Sequence, residues 1–175
     1  MTAGSADAGA SREAWLPASL RQVGDDNAEV VLPPPLFFLV PALLLLLLEM
    51  PWPTTLLAPP WRWILGGSLL ASWVALQGWA AVTMTRAGTT PLPARPTTAI
   101  VDGGPYRFTR NPMYVSFALM TAGIAVLAGS AWALAAVPVG VAGITWGAIQ
   151  REERYLERKF GDAYLQYKRR VRRWI

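Results

Sequence analysis

Long apolar segments alternate with shorter polar ones along most of the chain. Four of them approach the roughly 20 apolar residues that cross the hydrocarbon core of a bilayer. They lie at residues 33–50, 61–84, 113–129 and 131–149. In the first, Pro41 is expected to kink or shorten the helix, because proline removes a backbone hydrogen bond. The pattern predicts an all-α membrane protein with about four transmembrane helices.

The connection between the third and fourth spans consists of Gly129 and Ser130 alone. Such a short turn makes the two helices antiparallel neighbours, so it brings the polar segments 104–114 and 150–156 to the same end of the hairpin. Residues 150–175 are polar and charged, with apolar residues at helical spacing. They predict a C-terminal cytoplasmic amphipathic helical segment.

Lysine and arginine are distributed unevenly. Segments 1–32, 86–112 and 150–175 contain fifteen of the sixteen, and Arg62 is the other one. By the positive-inside rule these segments are cytoplasmic. This predicts a multi-pass protein of the cell (inner) membrane with both termini in the cytoplasm. The net charge of +5 then reflects topology and contact with anionic membrane lipids, so no nucleic-acid partner is expected.

Composition divides the chain into three parts. Residues 1–30, rich in Ala, Gly and Ser with mixed charges, predict a disordered cytoplasmic tail. They lack the basic and apolar regions of a signal peptide. Residues 31–96 hold the first two transmembrane helices and a proline-rich loop, and residues 97–175 hold the hairpin and the candidate site.

Two residue types that commonly perform catalysis are missing, because the sequence contains neither Cys nor His. Disulfides and thiolate metal sites are therefore impossible. Imidazole cannot serve as a base, a nucleophile or a metal ligand, which excludes Ser-His-Asp and Cys-His mechanisms. No metal site is predicted.

The stretch GPYRFTRNPMY, residues 104–114, stands at the start of the third span. Asn111 is a favourable N-cap and Pro112 a favourable first helical residue, so the helix is expected to begin here. Its positive dipole end, flanked by Arg107 and Arg110, suits a carboxylate or a phosphate. Alternatively, these arginines mark topology or bind lipid phosphates, and the aromatic residues form an interfacial belt.

Two adjacent carboxylates, Glu152 and Glu153, follow the fourth span, and neither has a basic residue four positions later. A carboxylate at the membrane edge is costly unless it is paired. The partner is either Arg107 or Arg110, or a cationic ligand. The two segments thus predict a pocket with cationic and anionic walls, suited to a zwitterionic cofactor with an aromatic ring. Aromatic residues expected around it are Tyr106, Tyr114, Tyr155, Tyr164, Tyr167 and Trp174.

The order of GPYRFTRNPMY, a hydrophobic hairpin and EERYLERKFGDAYLQYKRRVRRWI resembles the isoprenylcysteine carboxyl methyltransferase and phospholipid methyltransferase superfamily. The resemblance covers about residues 97–175. It implies an integral membrane methyltransferase that uses S-adenosyl-L-methionine at the cytoplasmic mouth and takes a lipophilic substrate from the bilayer. Carried over residue by residue, it implies cofactor binding by Gly104, Pro105, Tyr106, Arg110, Asn111, Pro112, Tyr114, Glu152, Glu153, Tyr164 and Tyr167.

The resemblance also implies roles for these residues. Methyl transfer from a sulfonium is an in-line displacement, so the protein mainly positions and dehydrates the reactants. Arg110 and the helix start would hold the cofactor carboxylate, and the two glutamates its amino group or ribose hydroxyls. Glu152 and Arg173 are the catalytic candidates: Glu152 would deprotonate an ammonium acceptor, and Arg173 would orient an acidic one.

Three positions depart from the family pattern. Asn111 stands where the family has His, so an imidazole contact becomes an amide hydrogen bond. Arg172 replaces a proline, and the final proline is absent after Ile175.

The sequence is also compatible with two other functions. One is an NADPH-dependent enzyme like the sterol reductases, which share a similar pattern. The other is a non-enzymatic membrane scaffold or lipid-binding protein. The acceptor, an isoprenoid or prenylcysteine-type carboxylate or a lipid headgroup, is also left open.

Overall fold

The computed structural model describes residues 32–90 and 97–175, and this part of the chain is helical without β-strands. Its α-helices are α1 (Leu36–Leu46), α2 (Trp61–Arg86), α3 (Pro112–Ala128), α4 (Ala131–Ile144), α5 (Gln150–Phe160) and α6 (Asp162–Arg170). Its other helical turns are 3-10 turns at Leu47–Glu49 and Gly104–Arg107 and a π turn at Thr145–Ile149. The tail predicted over residues 1–30 lies outside the described residues.

Two helical segments are long and apolar enough to cross a membrane. They are α2 and the continuous rod Ala131–Phe160, made of α4, the π turn and α5. The segments Leu36–Glu49 and Pro112–Ala128 are apolar but shorter. The predicted spans 61–84 and 131–149 thus coincide with helices of sufficient length, and the arrangement with four spans stays a prediction.

Much of the surface of α2 is apolar and exposed, as expected for a helix in contact with lipid. The large exposed residues on it are Trp61, Trp63, Ile64, Leu65, Val74, Trp79 and Val82.

The hairpin of α3 and α4 has the tight turn that the sequence predicts. Gly129 adopts the left-handed conformation with φ of +73°, which glycine enters without a steric penalty. The Ser130 hydroxyl accepts a hydrogen bond from the Ala133 amide and so caps α4. The same hydroxyl donates to the carboxylate of Glu49, which ties the end of the first apolar segment to the start of α4.

Close helix packing depends on glycines that face large side chains. The Phe38 ring lies over Gly140 and the Phe37 ring over Gly147, which packs α1 along α4. Helix α1 continues through Pro41 and passes into a 3-10 turn. Helix α2 packs along α3, and α3 along α4, whereas the described residues of α1 and α2 have no extensive contact with each other. Helix α1 also contacts α3, so α1 and α2 pack on different parts of the α3–α4 hairpin.

Candidate functional site

A cavity of about 550 Å³ lies where the two polar segments converge. This volume is typical of sites that bind small molecules. Its polar and tyrosine lining residues are Gln77, Thr90, Thr97, Tyr106, Arg110, Asn111, Tyr114, Glu152, Glu153, Tyr155, Tyr164 and Tyr167. The remaining wall is apolar and consists of Pro34, Pro35, Ala81, Met84, Ala99, Ile100, Val101, Pro112, Met113, Phe117, Ile149 and Leu156.

The structure brings most of the predicted site residues together. Nine of the cofactor-binding candidates line the cavity: Tyr106, Arg110, Asn111, Pro112, Tyr114, Glu152, Glu153, Tyr164 and Tyr167. Three candidates, Gly104, Pro105 and Arg173, do not line it. Gly104 has a φ of +54°, and a side chain there would approach Thr83 Oγ1 to 2.6 Å, so this glycine is needed for packing against α2.

Glu153 is enclosed by basic side chains. Arg110 Nη1 lies 3.1 Å from Oε1 of this carboxylate. Arg173 donates to both carboxylate oxygens, from Nε at 3.0 Å and from Nη2 at 2.7 Å. Glu153 is only 5% exposed, and hydrogen bonding to it raises the pKa of Arg173. Of the two partners considered from the sequence, the structure shows the arginine, and both oxygens of Glu153 are already engaged.

Glu152 has a different environment. It also lines the cavity, where its Oε1 accepts a hydrogen bond from the Tyr114 hydroxyl at 2.6 Å. Within residues 32–90 and 97–175 no basic side chain forms an ion pair with it. Glu152 is therefore the acidic group of the cavity wall that a cationic ligand would neutralise.

Arg110 is buried but not saturated with hydrogen bonds. Its side chain is 8% exposed, and neither Nε nor Nη1 forms a hydrogen bond of good geometry within the described ranges. The contact of Nη1 with Glu153 is an ion pair by distance alone. A buried donor without a partner costs about 1–3 kcal/mol, and Arg110 also lines the cavity, so a ligand with acceptor oxygens would stabilise this guanidinium.

Asn111 occupies the N-cap position of α3, but its side chain does not cap the helix, which corrects the expectation from the sequence. Its Nδ2 instead donates to the carbonyl oxygen of Arg173 at 3.0 Å. The Thr109 hydroxyl donates to the same oxygen, and the Arg110 amide donates to the Arg172 carbonyl. The C-terminal segment lies along residues 109–111, and its carbonyl oxygens accept hydrogen bonds from these residues. The Asn111 side chain therefore binds this segment and does not cap α3. Arg173 reaches Glu153 from this segment.

The aromatic residues predicted around the site do not all line the cavity. The Tyr167 hydroxyl donates to the Tyr106 carbonyl at 2.8 Å. Burial raises the pKa of Tyr164 to about 12 and raises the pKa values of Tyr106 and Tyr167, so these phenols are neutral near pH 7. Trp174 does not line the cavity and packs against the core cluster that contains Tyr114.

The π turn determines which way α5 presents its glutamates. It occupies Thr145–Ile149, directly before Gln150, and single π turns inside α-helices are frequent at functional sites. Ile149, Glu152 and Glu153 all line the cavity. The turn therefore belongs to the structure of the site.

The wall contributed by α2 was not predicted from the sequence. Gln77, Ala81 and Met84 line the cavity at spacings of four and three residues along one face of this helix. Ser116 of α3 lies behind Gln77 and was also missed. The available signal was Gln77 itself, the only carboxamide in the apolar span 61–84.

The comparison with protein families identifies this architecture. The family described as phospholipid methyltransferase matches residues 61–163, which is more than half of the chain. The chain belongs to the phospholipid methyltransferase family. Membership indicates a methyltransferase, and together with the two candidate spans it supports a membrane protein. The match begins at the first residue of α2, so it includes a helix that the sequence resemblance did not cover.

A shorter protein is similar to part of the chain. A protein of Haemophilus influenzae described only as uncharacterized is 41% identical over 63 residues, which cover 36% of this chain and the whole of that protein. No solved structure matches the chain.

Proposed function

We propose that this phospholipid methyltransferase family member transfers a methyl group from S-adenosyl-L-methionine to a lipophilic acceptor taken from the bilayer. One observation supports this most directly. The same cavity is lined by Arg110, which is buried and has N–H groups without hydrogen-bond partners, and by Glu152, which has no basic partner in the described chain. The rest of the cavity wall is largely apolar. The charged groups suit a small zwitterion, and the apolar wall suits a lipid.

The residues present fit this cofactor. Its carboxylate would accept hydrogen bonds from Arg110, because a guanidinium matches the geometry of a carboxylate. Its ammonium group or ribose hydroxyls would contact Glu152. Buried neutral tyrosines, Tyr106 and Tyr164 among them, would flank the adenine and exclude water. When bound, the cofactor supplies an electrophilic methyl group, which needs neither Cys nor His from the protein.

Glu153 receives a more limited role than the sequence suggests. Because Arg173 and Arg110 already neutralise it, we assign it to orienting Arg110 rather than to contacting the cofactor. Arg173 is likewise assigned to this pair and not to an acidic acceptor, since it does not line the cavity.

The acceptor would enter between α1 and α2. Pro34 and Pro35 line the cavity beside the start of α1, and Ala81 and Met84 line it from α2. These helices lack extensive contact with each other. We propose an acceptor of the isoprenoid or prenylcysteine-type carboxylate class or a lipid headgroup. An ammonium headgroup would also need a base, and Glu152 is the candidate.

Two arginines of one segment provide a matched test. Purified protein in detergent should bind S-adenosylhomocysteine by calorimetry, and Arg110→Gln should weaken binding about 10- to 100-fold, the loss of a charge-assisted hydrogen bond. Arg107→Gln is the control, because Arg107 does not line the cavity and lies over the exposed Phe108 ring. Equal affinities of the two variants would contradict the assignment of Arg110.

A second measurement tests the reaction itself. Membranes containing the protein, incubated with methyl-labelled cofactor, should yield labelled lipophilic product that mass spectrometry identifies. Stabilisation by NADPH but not by S-adenosylhomocysteine would favour a reductase. Neither binding nor label would favour a scaffold or lipid-binding protein.

A further inference from the structure

Gln77 lies in the middle of an apolar helix, but its side chain reaches the cavity. It stands nine residues before Arg86, the last residue of α2, which corresponds to about 14 Å along the helix axis. Ala81 and Met84 follow it on the cavity-facing side. Polar side chains within membrane segments usually face a protein interior or a cavity and mark substrate pathways.

Ser116 of α3 fixes the carboxamide of Gln77. The Ser116 hydroxyl is 2.5 Å from Gln77 Oε1 and 2.7 Å from the Met113 carbonyl oxygen, one turn earlier in the same helix. Ser116 is fully buried. The single hydroxyl proton is shared between these two acceptors, and its hydrogen bond to Gln77 Oε1 fixes the carboxamide with its oxygen toward α3. The contact serves to hold the amide in place.

The nitrogen of this carboxamide is left available. Gln77 Nε2 makes no hydrogen bond in the described part of the chain, and Gln77 is a half-buried residue that lines the cavity. Neighbouring wall residues such as Met113 and Phe117 are apolar and offer no side-chain oxygen to accept its protons. A hydrogen-bond donor that is fixed in orientation beside an apolar wall suits a ligand that is apolar except for one oxygen atom.

We propose that Gln77, oriented by Ser116, is a recognition residue for the lipid acceptor and donates a hydrogen bond from Nε2 to an uncharged oxygen, a hydroxyl or a carbonyl, on that lipid. A neutral amide cannot compensate a buried charge, so the group bound here is uncharged. The inference rests on the proposed function, because it concerns the acceptor part of the same cavity.

The test compares twelve-carbon probes in dodecyl maltoside, a detergent without an ester group. 1-Dodecanol carries a hydroxyl, methyl dodecanoate carries a carbonyl, and dodecane carries neither. Wild-type protein should bind one or both oxygenated probes more tightly than dodecane, by about 5- to 10-fold, as expected for one hydrogen bond. The preferred probe distinguishes a hydroxyl from a carbonyl as the recognised group. Binding is measured by the change in tryptophan emission as each probe is added.

Gln77→Leu keeps a side chain of similar size and removes the donors, so it should abolish the preference for the oxygenated probes. Ser116→Ala should reduce the preference, because it releases the amide. Ser72→Ala is the control on the same helix, since the Ser72 hydroxyl bonds to the Ser68 carbonyl alone among the described residues and does not line the cavity. It should leave the preference unchanged.

The proposal is overturned if wild-type protein does not distinguish the oxygenated probes from dodecane, or if Gln77→Leu still does. S-adenosylhomocysteine binding is measured on the same samples. Wild-type protein that fails to bind this compound contradicts the proposed function, whereas an unchanged probe preference with intact binding contradicts only the role of Gln77. If Gln77→Leu does not fold, Gln77→Met and Ser116→Ala provide the same comparison.

Discussion

Glu152 and Glu153 are consecutive and chemically alike, but their surroundings give them different tasks. Glu153 accepts hydrogen bonds from Arg173 and pairs with Arg110, so its charge is neutralised within the protein. In the described part of the chain, Glu152 accepts a hydrogen bond from the neutral Tyr114 hydroxyl and forms no ion pair. Substitutions at the two positions should therefore change different properties.

Glu153→Gln should mainly lower stability. It leaves Arg110 buried without its counter-charge, and breaking a buried pair costs about 3–5 kcal/mol. We expect the lower part of this range, because the Arg173 side chain is 34% exposed and water screens it. The measurement is the thermal unfolding temperature in detergent. An unfolding temperature equal to that of wild type would show that the cluster does not stabilise the fold.

Glu152→Gln should mainly lower affinity for the cofactor. The amide can still accept the Tyr114 hydrogen bond, so the unfolding temperature should change little. Loss of the charge should weaken S-adenosylhomocysteine binding by roughly 10-fold or more, the usual effect of a hydrogen bond to a charged group. Calorimetry measures this, with Tyr114→Phe as the companion variant that keeps the carboxylate. Wild-type affinity in Glu152→Gln would remove Glu152 from the cofactor site.

At the scale of helices, packing depends on where glycines meet aromatic rings. The Phe38 side chain is fully buried and occupies the space that a methyl group on Gly140 would need. Tightly packed interiors tolerate little added volume. The contact therefore determines how closely α1 approaches α4.

Gly140→Ala should destabilise the protein by about 1–3 kcal/mol, because the Phe38 ring must move. Gly67→Ala is the matched control within α2. Nothing lies within 4 Å of the added methyl group there, and alanine favours a helix by up to about 1 kcal/mol over glycine. Thermal unfolding of both variants should give shifts of opposite sign. A stabilised Gly140→Ala would contradict the observed packing.

The helices could largely be predicted from the sequence, but their detailed contacts could not. The apolar pattern at 61–84 and 113–129 lies within about two residues of the observed α2 and α3, because apolar length and helix-breaking residues determine helix ends. The π turn has no distinct pattern, since it differs from an α-helix by one residue in hydrogen-bond register. The sequence also did not indicate whether Arg107 or Arg110 pairs with the two glutamates, because this depends on the path of the loop.

At the scale of the molecule, the four apolar helices pack around the α3–α4 hairpin. Helices α2, α3 and α4 pack in succession, and α1 packs on α4 and, less extensively, on α3. The cavity touches residues beside α1 and within α2. Contacts between distant segments could not be predicted from the sequence. Asn111 was expected to cap α3, but its side-chain amide donates to the Arg173 carbonyl. These residues are 62 positions apart, and no local sequence pattern indicates such a contact.

Met84→Trp should obstruct the acceptor and leave the cofactor site intact. A larger side chain on the α2 wall would narrow this part of the cavity, so the KM for a lipophilic acceptor should rise severalfold while S-adenosylhomocysteine binding stays near wild type. Met50→Trp is the control, because Met50 is 84% exposed and does not line the cavity. Methylation kinetics measure the effect, and identical kinetics in the two variants would place the entrance elsewhere.

The π turn has a consequence for how related chains can differ in length. A π turn holds one residue more than the α-helical turn that it replaces, so removing one residue between Thr145 and Ile149 would restore α-helical register and leave α5 close to its present orientation. An α-helix turns by about 100° per residue, so removing a residue from α4 instead would rotate α5 by that angle. Glu153 would then swing away from Arg110, and Glu152 would no longer face the cavity, although every side chain of the site would still be present. Related chains should therefore differ in length within the π turn more readily than within α4.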